Sequence, residues 1–346
     1  MIDNTGTDNN LSIISVYHNA LSKRLLELNY EITRRFNPGM PLTWFVADNT
    51  PDGFTDKIDA QKFIVVPNTT DYHGLGSHQH AGGINACLTQ IKTRFMLSLD
   101  SDFYIVRKHW IRDVLVFMQE RNLSFFGVTY HPRDYPKYRY FPSVVCMFVD
   151  LKKVPLSSLD FMPQYAITQE GHVIRTDKDR DTRKKIMRKK IKSIVGVHTR
   201  TMTMLGRIMR TLDIGSRRLN IAGARDTSYR IYARYGHDVT YKRAYVQPVF
   251  NPAQENALHG RVCLPFNRFV EALLPDSLCY IPKKSEFFSI SGFHEMGFAD
   301  CAGYGWEEYI WQGQPFGTHI RGSKTWKRNP NEDDELSLII KTLGEF

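Results

Sequence analysis

With 346 residues, 42% hydrophobic and 24% charged, the chain suits two modest domains or one elaborated α/β domain of ordinary globular composition. No apolar run nears the roughly 18 residues of a membrane helix, VVCMFV (144–149) being typical of the longest, and the polar start MIDNTGTDNN reads as neither signal nor transit peptide. Five cysteines without CxxC spacing argue against a zinc site or a disulfide framework, and the net charge of +10 is local: residues 175–218 hold 15 Lys/Arg against 4 Asp, leaving the remainder near neutral.

In chain order, the apolar run Leu11–Tyr17 predicts a first strand, and Asn19 is a fitting N-cap for a helix with Leu21, Leu25, Leu28, Ile32 and Phe36 on one face. Asn37-Pro38-Gly39 stops that helix. Leu42–Ala47 predicts a second strand ending at Asp48-Asn49, and Phe63–Val66 a third. A Gly- and His-rich loop (71–83), a helix to about Lys92 and the strand Phe95–Leu99 follow. Trp110–Met118 reads as a helix, then Leu123–Tyr130 and Val144–Val149 as strands. Such alternation implies an α/β fold with a largely parallel sheet and helices on both faces.

From Arg175 two basic amphipathic stripes appear, one along Met187, Ile191, Ile194 and Val195, the other along Met204, Leu205, Ile208, Met209 and Leu212. A helix from Asp226 to Tyr235 and a strand over Val239–Val246 come next. The aromatic, glycine-rich stretch from Phe288 to Trp326 has the pattern of neither a regular helix nor a regular strand, and the tail ends as a short helix. The expected organisation is a first half (1–174), a basic helical insert (175–220) and a second half with a C-terminal lid (221–346).

The chemistry concentrates where the fourth strand ends. In LSLDSD, Asp100 and Asp102 follow a buried apolar run, and an isolated carboxylate pair there either faces water or holds a cation. Alternate residues of a turn reach one hard ion, so Mg²⁺ or Mn²⁺ bridging a diphosphate is the functional reading; an acidic turn after a strand is the plain one.

LSIISVYHN at the first strand, WFVADNTPD at the second, Asn85 fifteen residues before the acidic pair, and LSLDSD itself stand in the order found in one family. The chain thereby resembles a glycosyltransferase of the GT-A fold, close to the large family 2 group, closely over roughly residues 10–105 and loosely beyond. Ile84 stands where that family usually has an arginine before the asparagine, so a basic donor contact would come from His78 or His80, or be absent. The resemblance implies a Rossmann-like fold and a sugar passing from a nucleoside diphosphate donor to a hydroxyl of a sugar or lipid-linked glycan acceptor. Tyr17, His18, Asp48, Asn85 and Asp100 would meet the donor, with Asp102 as the main ligand of Mn²⁺ or Mg²⁺ and Asp100 beside it. His319 would complete the metal site, and Arg321 and Lys324 would hold the diphosphate. Asp226 would be the general base of an inverting reaction, with Glu295, Glu307 and Glu308 as substitutes; Asp226 is equally a helix N-cap. Trp306 and Trp311 would stack on the acceptor, against the plain reading of core aromatics.

A retaining reaction and a catalytically degenerate scaffold are the rival readings. A sugar nucleotidyltransferase is disfavoured because no glycine-rich, arginine-containing loop follows the first strand, and a processive synthase because no membrane span is read in this sequence. The basic stretch 178–210 is the candidate contact with an anionic membrane surface, with a mobile linker as its plain reading and no nucleic-acid motif beside it. The expected location is the cytoplasm, with that insert as the means of attachment to the inner face of the membrane.

Overall fold

The computed structural model describes residues 10–68, 76–130, 141–163, 166–167, 173–174, 227–236, 238–249 and 306–320, and residues 337 and 341 as helical. The expectations for Asp226, Arg321, Lys324 and the basic stretch 178–210 lie outside the described residues.

Strand β1 (Leu11–Tyr17) is buried along its whole length, as a strand covered on both faces must be. Helix α1 (Ala20–Phe36) starts at the expected cap: the Asn19 side chain accepts from the Ser22 N–H at 2.8 Å, and the Ser22 hydroxyl accepts from the Asn19 N–H at 3.1 Å. That reciprocal pair satisfies two of the orphan donors of the first turn. Strands β2 (Leu42–Asp48) and β3 (Ile64–Pro67) pair parallel outward from β1, and helix α2 (Gly76–Leu88) leads back to β4 (Phe95–Leu99) on the other side of β1. The order β3-β2-β1-β4 therefore reverses direction at β1/β4. Right-handed crossovers to opposite sides place α1 and α2 on opposite faces, and the reversal opens a crevice at the carboxyl ends of β1 and β4. Helix α2 ends earlier than the pattern suggested, because the chain turns at Cys87–Gln90 and Leu88–Ile91.

Beyond β4 the sheet is mixed. After a short strand β5 (Phe103–Ile105) and helix α3 (Trp110–Glu120) come β6 (Phe125–Val128) and β7 (Cys146–Asp150), and β7 lies antiparallel to both β4 and β6. A two-stranded ribbon, β8 (Ala166–Ile167) with β9 (Val173–Ile174), stands apart from the main sheet. Helix α4 (Tyr229–Tyr235) begins at Ser228, whose φ of 65° is left-handed and whose side chain caps nothing. The expected start at Asp226 is thus moved inward. Strand β10 (Arg243–Pro248) also begins late, because Thr240 donates its N–H and hydroxyl to Asp238 at 2.9 and 2.6 Å and holds 238–240 in a turn.

The C-terminal stretch is the main departure from expectation. It carries a hairpin, β11 (Glu307–Trp311) and β12 (Gln314–His319), turned by Gln312 and Gly313 with φ of 54° and 74°. Two positive φ values in a two-residue loop match the twist of the flanking strands. Both strands are buried almost throughout, so no alternation of polar and apolar residues marked them. The full order is β3-β2-β1-β4-β7-β6-β10-β11-β12-β5, mostly parallel in its core and antiparallel toward the hairpin. No helix among the described residues is long and apolar enough to cross a membrane.

Candidate metal and donor site

The turn Asp100-Ser101-Asp102 links the first part of the sheet to the hairpin. Its entry is held by a chain of bonds: the Trp44 indole N–H donates to Ser15 Oγ at 3.0 Å, and Ser15 Oγ donates to the Leu99 carbonyl at 2.7 Å. The Asp100 N–H reaches the Val145 carbonyl at 3.0 Å and the Phe103 N–H closes on the Asp100 carbonyl at 3.1 Å. Its exit is held by β5, which pairs with β12 so that Phe103 lies opposite His319, and the Ile320 N–H donates to the Asp102 carbonyl at 2.8 Å. This register carries His319 to the acidic turn.

One ligand atom from each of Asp100, Asp102 and His319 lies within 4.8 Å of the others. His319 Nε2 is 3.4 Å from Asp102 Oδ1, and its Nδ1 is 2.8 Å from Glu307 Oε2. Burial opposes charge on this imidazole, but Asp102 and then Glu307 outweigh it and hold the His319 pKa well above the ordinary range. The donor set is two carboxylates and one imidazole, converging and half-buried, which fits a divalent cation of the Mn²⁺ or Mg²⁺ kind.

Two of the other expected donor residues end neighbouring strands. Tyr17 and Asp48 are register partners at the ends of β1 and β2. Asp48 accepts from the Thr50 N–H at 2.9 Å and the Thr50 hydroxyl at 2.6 Å through Oδ1, and from Lys57 Nζ at 2.8 Å through Oδ2. Burial would raise its pKa, but Lys57, Thr50 and Tyr17 outweigh burial and lower it, so Asp48 is an ionised acceptor. The Tyr17 hydroxyl is pushed up by burial first and then by the neighbouring Asp48. His18, exposed just after β1, is held below its ordinary range by partial desolvation first and then by His80, with Asp102 pulling the other way.

Of the two histidines named for a basic contact, His78 is buried in α2 and His80 Nε2 lies 3.3 Å from Asp100 Oδ1. Asn85 is engaged within the protein: its Nδ2 donates to Asp160 Oδ1 at 3.1 Å and its Oδ1 accepts the Phe161 N–H at 3.0 Å. Asp160 also takes Arg230 Nη1 at 2.6 Å, and the Phe161 carbonyl accepts the Ser228 N–H at 2.6 Å. Asn85 therefore clamps α2 to the Asp160–Phe161 segment, which in turn holds the start of α4 through Ser228 and Arg230. Trp306 and Trp311 are both buried, and Trp311 is packed by Phe117, Phe126 and Phe316 with the Arg107 guanidinium 4.4 Å from its ring centroid. Those contacts are core packing. Lys57 and the pairing of Glu307 with His319 had no signal in sequence spacing, since the first sits in an irregular loop and the second depends on hairpin register.

Solved structures similar to this chain include glycosyltransferases. S. aureus TarS (residues 1–349) in complex with UDP-GlcNAc aligns at TM-score 0.30 and 20% identity, over 44% of this chain and 48% of that one. Mannosyltransferase PcManGT from Pyrobaculum calidifontis, in complex with GDP-Man and Mn²⁺, aligns at TM-score 0.31 and 12% identity, over 42% of this chain and 46% of that one. A further structure of TarS 1–349 aligns at TM-score 0.33 and 14% identity over 85% of this chain and 87% of that one. The chain thus spans about half the length of the first two. No protein-family model matches the sequence, and no curated protein sequence matches it.

Glu308, next to Glu307 on β11, faces Thr318 across the hairpin and is 9% exposed. Burial lifts its pKa from an ordinary 4.5 to about 7. The folded state therefore binds this proton more tightly than the unfolded chain does, and stability contributed by the neutral carboxyl at low pH is lost as pH rises from 4.5 through 7. Glu308→Gln is expected to match the wild type near pH 4.5 and to exceed it by up to about 3 kcal/mol at pH 8. Urea midpoints at the two pH values check this.

Proposed function

We propose that the chain is a metal-dependent glycosyltransferase that moves a sugar from a nucleoside diphosphate donor to an acceptor hydroxyl. The observation that carries the reading is the meeting of Asp100, Asp102 and His319 at the crevice where the strand order reverses. Bound there, Mn²⁺ or Mg²⁺ would supply positive charge to the diphosphate leaving group. Asp48, kept ionised by Lys57 and Thr50, accepts hydrogen bonds from the donor nucleoside, while Tyr17 and His18 line the same crevice. His80, beside Asp100, supplies the basic contact that Ile84 does not. Arg321 and Lys324, which follow β12 in the sequence, hold the diphosphate in this reading. Asp226 removes the acceptor proton in an inverting displacement, and the segment after it is held by Thr227 Oγ1 donating to the Ser77 carbonyl at 3.2 Å and by Ser228 on Phe161. Asn85 supports that arrangement from α2. The acceptor is a sugar or a lipid-linked glycan, and the basic stretch 178–210 holds the protein at an anionic membrane surface on the cytoplasmic side.

The test is calorimetry of uridine, guanosine and thymidine diphosphates with and without Mn²⁺. One of them is expected to bind at least about tenfold more tightly with the ion, a difference of about 1.4 kcal/mol. No metal-dependent binding of any of the three would overturn the reading.

A further inference from the structure

We propose that Glu307 is the positioning residue of the cation site, holding the Nδ1 proton of His319 and aiming its Nε2 at Asp102. This rests on reading Asp100, Asp102 and His319 as that site. Glu307 and His319 are direct cross-strand partners on β11 and β12, and the register shift of the hairpin falls later, between Tyr309 and Ile310. Their side chains therefore leave the same face of the sheet, as do all opposed residues. The His319 Nδ1 to Glu307 Oε2 distance is 2.8 Å, which makes Nδ1 the donor and leaves Nε2 as the nitrogen facing Asp102 at 3.4 Å.

The carboxylate is itself held. Tyr309, two residues along on the same face, donates its hydroxyl to the same Glu307 Oε2 at 3.2 Å. Thr318 Oγ1 donates to the Glu307 carbonyl at 3.1 Å and ties the backbone of β11 to β12. Phe103 packs beside both Tyr309 and His319, with ring centroids 5.6 and 6.2 Å apart. Its ring takes the space over Gly317, where a Cβ would stand 2.7 Å from it. Glu307 is only 2% exposed. A buried carboxylate is costly unless its hydrogen bonds are worth more, and an apolar residue would serve packing alone as well. A carboxylate behind a metal-binding imidazole fixes ring orientation and raises ligand basicity, which explains its presence in this wall of aromatic rings.

The experiment measures Mn²⁺ binding by the full chain, without nucleotide, for wild type, Glu307→Gln, His319→Ala and the double variant, with the unfolding midpoint recorded for each. Glu307→Gln is expected to weaken Mn²⁺ roughly 10- to 100-fold. In the His319→Ala background it is expected to add less than about twofold, because its effect passes through the imidazole. Equal losses in both backgrounds, or an unchanged affinity in Glu307→Gln, would overturn the inference. A wild type that binds no Mn²⁺, or binds it unaffected by His319→Ala, would instead overturn the cation site beneath it. Should Glu307→Gln fail to fold, histidine-labelled ¹⁵N spectra of the wild type decide the matter. On adding diamagnetic Mg²⁺ the His319 Nε2 resonance is expected to shift while the Nδ1 proton is retained, and loss of the Nδ1 proton would sink the proposal.

Discussion

Asp102→Asn is expected to lower metal-dependent transfer by about 10³-fold or more, equivalent to about 4 kcal/mol of transition-state stabilisation. Asparagine keeps the size of the side chain and leaves the Ile320 to Asp102 backbone bond and the β5–β12 pairing untouched. What it removes is the carboxylate charge nearest His319 Nε2. The side chain is partly exposed, at 23%, so neutralising it strands no buried carboxylate, and His319 keeps Glu307 on its other nitrogen. The unfolding midpoint is therefore expected to stay within a few degrees of the wild type. Release of nucleoside diphosphate from a panel of sugar donors, with Mn²⁺ and with chelator, measures the effect. The wild type in chelator should fall to the level of the variant. Full metal-dependent turnover in Asp102→Asn would show that the chemistry sits elsewhere.

The largest expected effect on folding is that of Gly127→Ala. Gly127 lies on β6, paired on one side with Met147 of β7 and on the other with Tyr245 of β10. A Cβ built there would stand 2.0 Å from the Cys146 carbonyl oxygen and 3.1 Å from the Met147 Cα. Both obstacles are backbone in the middle of the sheet, so the strand must move rather than a side chain. Moving it breaks ladder bonds on two sides and disturbs the rings around Phe126, which touches Phe117, Phe148, Trp311 and Phe316. Overpacking a core at a flexible side chain costs about 1–3 kcal/mol. Against a rigid backbone the loss should exceed about 4 kcal/mol, enough to unfold a domain of ordinary stability. Soluble yield and the chemical-unfolding midpoint report it; a folded variant with an unchanged midpoint would contradict the geometry.

How far the chain could be read in advance varies by element for physical reasons. Leu11–Tyr17 and α1 stand where local pattern puts them, because a wholly buried strand and an amphipathic helix with an Asn19 cap are both written within a few residues. The C-terminal end of α2 and the starts of α4 and β10 were displaced by three or four residues, since local turns at Cys87–Ile91, Ser228 and Asp238–Thr240 compete with the continuing pattern. Helix α2 also begins at Gly76, inside the stretch read as a loop. The hairpin over 307–319 was missed altogether. Its strands face protein on both sides, and its clearest signal was the short turn Gln312-Gly313 rather than any period.

The sequence by itself determined that an acidic turn, Asp100-Ser101-Asp102, ends a buried strand, and that a first strand, a capped helix and a second strand ending in Asp48 precede it. Those features depend on residues close together in the chain, where propensity and burial act directly. Only the tertiary structure decided that Asp102 and His319 meet, and that Glu307 stands behind His319. That meeting runs through the pairing of β5 with β12, between residues more than two hundred positions apart. No local spacing records such a partnership, because strand pairing is selected by the packing of whole faces.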